Sequence, residues 1–317
     1  MKIGELDGRF NHIKEAHLES EKRLEKLGKL NESYQNTGVF LVVNGSLARK
    51  ELVDGSDFDA FIVQKRISRS LAQQLWTEAH EAVGLRRPGS TGVFGEDSVV
   101  QYDEMLLNIG GSSDSNESIT RRMLLILEST SVGDEASFEE LAKAMLNRYI
   151  SDQITDHQLA LFLLNDIIRY YRTICVDFEF KTEEDGKPWG IRNIKLVFSR
   201  KLIYFSGLLI CAETAQRSAL EKRAICERLM RLTPIERVLS VLGEDAFEPL
   251  MYYDKFLEKM DEPEIRLNLE SEDKDALRKS ELFRSLKNDG HHFSMSLRSA
   301  FVRHYDGSHP IHRAIMF

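Results

Sequence analysis

The spacing of apolar residues changes character several times along this chain, and each change marks an element. From Phe10 to about Tyr34, Ile13, Ala16, Leu24, Leu27 and Leu30 fall near helical spacing among Glu and Lys, which predicts an amphipathic helix. Gln35-Asn36-Thr37-Gly38 ends it. Val39-Phe40-Leu41-Val42-Val43 is then unbroken and β-rich, too short for a lone helix, and reads as a buried strand. Asn44-Gly45-Ser46 breaks that strand, Leu47 to Leu52 holds little more than one helical turn, and Asp54-Gly55-Ser56 is a second turn. Asp57 to Val63 predicts a second strand. Ser68 or Ser70 opens a helix through about Val83, with Leu71, Leu75, Trp76 and Ala79 on one side. Gly84 to Gly95 is a glycine-rich basic loop, either a flexible connection or a cover for phosphates. One or two strands are expected between Ser98 and Ile109, including Met105 to Ile109. A helix starts at Ser118 or Thr120 and runs through Glu128, its early Arg121 and Arg122 opposing the helix dipole unless an anion answers one of them. Ser131-Val132-Gly133-Asp134 is the expected hinge. Beyond Ser137 the pattern is helical, from Phe138 to Ile150, then from a capping box at Thr155 and Gln158, then through the apolar stretch after Lys187-Pro188-Trp189-Gly190. Asp166 and Arg169 are spaced to pair on one helix face. The predicted fold class is therefore α+β: a mixed β-sheet with flanking helices over residues 1–134, followed by an all-helical domain over 135–317.

The second strand carries the clearest chemistry. Side chains alternate along a strand, so Asp57, Asp59, Phe61 and Val63 share one face. Two residues of strand separate the carboxylates by about 6–7 Å along the backbone. Like charges so placed repel unless something positive sits between them. Mg²⁺ prefers oxygen ligands and commonly shares them with phosphates. A Gly-Ser turn beside such a pair reads as a nucleotide site, with turn amides for phosphate and the aspartates for metal.

Gly45-Ser46, Arg49, Glu51, Gly55-Ser56, Asp57 and Asp59 together spell GSxxRxExxxGSDxD. This resembles the signature of the DNA-polymerase-β-like nucleotidyltransferase superfamily, closest to the branch that holds the protein uridylyltransferases and adenylyltransferases of nitrogen regulation. The resemblance implies a two-Mg²⁺ site on Asp57, Asp59 and a third carboxylate from a neighbouring strand, with Mn²⁺ as a substitute. Glu96, Asp97, Asp103 and Glu104 are the candidates for that third group, with Asp103 preferred for its place in the expected strand region. Gly45, Ser46 and Ser56 would serve the phosphates. Arg49 would reach a phosphate or pair with Glu51, the pairing being preferred. The superfamily's second domain often supplies cations to the triphosphate and a stacking group to the base. By that resemblance Arg192, Lys195 and Lys201 are candidates, with Trp189 or Tyr204 for the base; an ordinary solvated basic face is the competing reading. The implied reaction moves an NMP, AMP being the expected one, from an NTP to an acceptor hydroxyl, first on a protein. Synthesis of an oligonucleotide messenger and transfer to an RNA end are alternatives. From another class, a catalytically weak nucleotide-binding regulatory or antitoxin-like module is the other reading.

Composition narrows these choices only in part. The 317 residues carry a formal net charge of −8, which argues against a nucleic-acid binder driven by bulk charge. Cys175, Cys211 and Cys226 form no CxxC pair and are expected to be reduced thiols. The first ten residues have no apolar core of a signal peptide, and Leu202 to Ala212 is too short to span a bilayer. A cytoplasmic protein away from membranes is therefore expected. His304, His309 and His312 match no firm ligand spacing, and Arg298 with His304 fits only a permissive ribonuclease pattern; surface histidines are the expectation.

Overall fold

Among the described residues, four strands form one sheet in the order β3-β2-β1-β4: β1 is Val39–Val43, β2 Ala60–Gln64, β3 Val99–Gln101 and β4 Thr130–Gly133. The computed structural model describes residues 3–89 and 92–316, so Ser90 and Thr91 of the expected basic loop lie outside the described residues. Strand β1 runs antiparallel to β2 and to β4, while β3 is parallel to β2. The register pairs Val43 with Ala60 on one side and with Thr130 on the other. The exit of β1 and the entries of β2 and β4 therefore share one end of the sheet.

Both faces of this sheet are covered, which is why its central strands read as continuous apolar runs. Phe40, Val42, Phe61 and Val63 join a large cluster that runs from Ile3 to Ile311 and includes most of the helical region. Val39, Leu41, Val43, Ala60 and Ile62 face a second cluster with Leu75, Trp76, Ala79 and Val83 of the Arg69–Val83 helix. The mixed α+β class is as expected.

Several expectations give way to tertiary structure. Ser131-Val132-Gly133, expected as a hinge, belongs to β4 and pairs with β1. Gly133 has φ of 109°, and a Cβ there would meet Val39 O at 2.9 Å, so the strand needs glycine at this point. Met105 to Ile109 forms no strand; Asp103–Met105 is a 3₁₀ turn instead. The second strand starts only at Ala60, leaving Asp57 and Asp59 on its irregular approach. Thr155 and Gln158 do close on each other, Gln158 Oε1 accepting from Thr155 N at 3.3 Å, yet the helix begins at Leu161. Burial of Leu159 and Ala160, with Ala160 N donating to Thr214 Oγ1 at 3.0 Å, overrides the local cap. The apolar helix after Trp189 is broken into Trp189–Lys195, a π-helical turn over Leu196–Arg200, and Lys201–Ala212. Arg122 finds its anion in Asp114, with bonds of 2.7 and 2.9 Å, and Asp166 lies 3.1 Å away. Asp166 and Arg169 do approach each other, at 3.8 Å.

Candidate active site

At the shared end of the sheet, Asn44 leaves β1 and the chain turns through Gly45. Gly45 has φ of +70°, and a Cβ there would lie 2.5 Å from Asp59 Oδ2. Only glycine allows the turn to rest against the carboxylate. Asn44 N donates to Asp59 O at 2.7 Å and fixes the two segments to each other. Ser46 lines the same cleft.

Asp57 and Asp59 line that cleft together. Asp59 is the more enclosed. Desolvation raises its pKa to about 6; the Asp57 charge adds to the rise, while Arg200 and Lys195 oppose it. Asp57 is more open and pairs with Arg86 Nε at 3.3 Å. Across the cleft stand Lys195, Arg200 and Arg266, with Phe256, Leu257 and Met260 as an apolar wall. Lys195 has its pKa lowered to about 8, first by desolvation in the crowded cleft and then by the nearby Arg266, against the pull of both aspartates. Its side chain still meets water at the mouth, which tempers the shift. The closed part of the cleft measures about 80 Å³. A second hollow of about 490 Å³ shares Val53, Ser56 and Leu257 with it, and Glu15, Glu19, Asp54 and Asp261 line its other walls.

Behind the cleft lies a buried chain of charges. Arg49 donates to Glu51 Oε2 at 2.8 Å and to Glu128 Oε2 at 2.5 Å. Arg200 approaches Glu128 Oε1 at 3.2 Å from the other side. Tyr253 OH donates to Glu51 Oε2 at 2.8 Å and lies 3.3 Å from Ser199 Oγ. These contacts tie the Gly45–Glu51 segment to two helices of the later chain. Removing one member would strand a buried charge, so the network also holds the two halves in one arrangement.

The predicted residues fare unequally. Gly45, Ser46, Arg49, Ser56, Asp57, Asp59 and Lys195 all line the cleft. Arg49 takes the preferred pairing with Glu51 and has Glu128 as a second partner. Ser56 Oγ donates to Val53 O at 2.8 Å, so its hydroxyl closes the Val53–Ser56 turn. Asp103 must be corrected. β3 runs parallel to β2, and Tyr102 N donates to Gln64 O at the far end of β2. Asp103 thus lies at the end of the sheet away from Asp57 and Asp59, exposed. Glu104 turns back to accept from Gln101 N at 3.3 Å, and Glu96 pairs with Arg87 at 3.1 Å. Among the described residues, no three of His, Cys, Asp or Glu are placed to share an ion. Arg192 and Lys201 do not line the cleft. The π-helical turn rotates the residues after Lys195, so that Ser199 and Arg200 face the aspartates and Lys201 turns elsewhere. Trp189 packs on Phe283 and Tyr204 stacks on Tyr171, both away from the cleft lining.

Arg200, Arg266, Tyr253 and Glu128 were not among the predicted site residues. Glu128 did carry a signal: a carboxylate on the last turn of a helix opposes the dipole, and such a residue needs a cation. Arg266 sits in a charged stretch whose composition says only that it is helical and solvated.

Compared with known proteins, the chain matches no family model, and no curated protein matches it in sequence.

Proposed function

We propose that the protein is a Mg²⁺-dependent nucleotidyltransferase that moves a nucleoside monophosphate, AMP first, from an NTP to an acceptor hydroxyl on a protein, releasing pyrophosphate. The observation that supports this best is the packing of Gly45 against Asp59 in a cleft where two aspartates face Lys195, Arg200 and Arg266. Burial holds the Asp59 proton to about pH 6 although Arg200 and Lys195 oppose the rise, and a hard divalent ion favours the charged form further. Asp57 and Asp59 would hold one such ion, and the nucleotide's phosphates would supply further oxygens. The second ion implied by the superfamily resemblance finds no third carboxylate among the described residues. When bound, the metal lowers the pKa of the attacking hydroxyl and offsets charge on the phosphoryl oxygens.

The chain's own residues supply the rest. Lys195 and Arg266 face the departing pyrophosphate. Arg200 is shared between Glu128 and the cleft and favours the charged form of Asp59. As the acceptor oxygen bonds to the α-phosphorus, the bond to pyrophosphate breaks, and the fixed cations meet negative charge as it moves outward. An 80 Å³ pocket holds phosphates rather than a whole nucleotide, so the larger hollow beyond the Val53–Ser56 turn is the place for the remaining groups.

A second reading has its own support. With Asp57 held by Arg86 and no third carboxylate beside it among the described residues, the cleft suits a weakly catalytic nucleotide-binding module. Incubation with each α-³²P-labelled NTP and Mg²⁺, alone and with cell lysate, separates the two. Label on a protein band that the Asp57→Ala/Asp59→Ala variant does not produce supports the transferase and its acceptor class. Label in a small molecule or RNA keeps the transferase and changes the acceptor. Labelling equal to the variant in every fraction leaves the binding module.

A further inference from the structure

The π-helical turn that brings Arg200 to the cleft sends Lys201 to a different surface, where three helices meet. Lys201 opens the Lys201–Ala212 helix, and its Nζ donates to Ser294 Oγ of the Glu281–His304 helix. That second helix approaches closely at Gly290, where a Cβ would run into the Val197 side chain. One turn earlier on it, Lys287 Nζ donates to Asn193 Oδ1 at 2.9 Å. Both ammonium groups are half-buried, and among the described residues each is held only by a neutral oxygen. Burial lowers the pKa of both, and the Lys287 charge adds to the effect on Lys201. Arg172, exposed on the Leu161–Glu183 helix, brings a third cation to Cys175 and Tyr171 of the same helix. The nearby Asp177 is engaged by Lys181 at 2.7 Å. Beside the cations, Tyr171 and Tyr204 stack with centroids 4.4 Å apart and planes 14° from parallel.

Two half-buried ammonium groups that repel each other and lack a carboxylate are costly in an apo protein. In a chain of net charge −8 they are also against the overall trend. Phosphate oxygens relieve both problems, and aromatic rings next to phosphate-binding cations are the usual combination for nucleotide chains. We propose that Arg172, Lys201 and Lys287, with the Tyr171–Tyr204 stack beside them, form a second site that binds the phosphates of a nucleotide ligand, separate from the Asp57–Asp59 cleft. The ligand is either a free nucleotide or a single-stranded oligonucleotide, which share this chemistry. The site does not depend on the transferase reading.

The test is fluorescence anisotropy of a short end-labelled oligoadenylate with the full chain, in EDTA so that metal-dependent binding in the cleft is absent. Lys201→Gln/Lys287→Gln is expected to weaken binding at least about tenfold and to lower the slope of log affinity against log salt by about 1.4, two contacts' worth on a single strand. Arg172→Ala should weaken binding in the same direction, and as an exposed residue it leaves the fold intact; circular dichroism checks the double variant. Asp57→Asn/Asp59→Asn should not weaken binding. The ligand should also slow alkylation of Cys175, which neighbours Tyr171 and Lys201. Competition by ATP at equal phosphate concentration identifies a free nucleotide as the ligand, and failure of ATP to compete identifies the strand. Absence of binding by the wild-type chain, or equal binding by the wild type, the double variant and Arg172→Ala, overturns the proposal.

Discussion

Replacing Asp59 with Asn should make the protein more stable while removing its metal-dependent chemistry. The folded carboxyl keeps its proton to about pH 6, whereas an ordinary one keeps it to 3.8. Between these values the native state binds more protons than the unfolded chain, so stability falls as pH rises through the window and stays low above it. At about 1.4 kcal/mol per pH unit, the full shift corresponds to about 3 kcal/mol. Asp59 retains some contact with water, and screening reduces this to roughly 1–2 kcal/mol. The Asp59 carboxylate makes no hydrogen bond among the described residues, so an amide of the same shape breaks none. Urea unfolding in EDTA should therefore show Asp59→Asn ahead of wild type by roughly 1–2 kcal/mol near pH 8, with the gap closing toward pH 4. Adding Mg²⁺ should stabilise the wild type and leave the variant unchanged, since only a protein with the site gains from the ion. An Asn variant less stable than wild type near pH 8 would show that the carboxylate is satisfied by the fold, and the argument for a cation site at Asp59 would fail.

Other variants probe the neighbouring parts. Gly45→Ala forces a Cβ toward Asp59 and a positive φ on alanine; it should abolish transfer and cost about 1–3 kcal/mol, read by activity and thermal melting. Arg49→Met leaves Glu51 and Glu128 buried without their shared cation and should destabilise by about 3–5 kcal/mol in denaturant titration. Asp103→Asn should leave turnover unchanged, because the residue lies at the opposite end of the sheet; a large loss would return it to the site. The pH profile of kcat/KM should rise on a limb near 6 as Asp59 loses its proton and fall on a limb at or above about 8 as Lys195, partly screened by water, loses its own. The lower limb should move to lower pH as Mg²⁺ is raised, because metal and proton compete for Asp59. A profile flat from pH 5 to about 9 would remove both groups from the reaction.

What could be read from the chain was what is local in sequence. Gly45, Asp57 and Asp59 lie within one strand–turn–strand segment, and the turn and carboxylates identify each other there. The partners that give those aspartates their electrostatics come from residues 128, 195, 200 and 266, and no local pattern joins them. In the stretch after Trp189 the resemblance offers Lys195 and Lys201 together, but the π-helical turn over Leu196–Arg200, which leaves no signal in composition, separates them. Ser131-Val132-Gly133-Asp134 reads as a hinge from its short polar and glycine pattern; pairing with β1 puts its first three residues in a strand. The Asp103 expectation failed for a related reason. A residue's distance along the chain from β2 says nothing about which end of the sheet it reaches, and that depends on β3 being parallel.

The most direct test is Mg²⁺-dependent release of pyrophosphate from ATP by the purified protein, alone and with lysate, compared with Asp57→Ala/Asp59→Ala. The prediction is release that requires Mg²⁺ or Mn²⁺ and is lost in the variant, whose fold is verified by circular dichroism. Release by the variant at the wild-type rate would place the chemistry elsewhere, and no release by either protein under any condition would reduce the cleft to nucleotide binding.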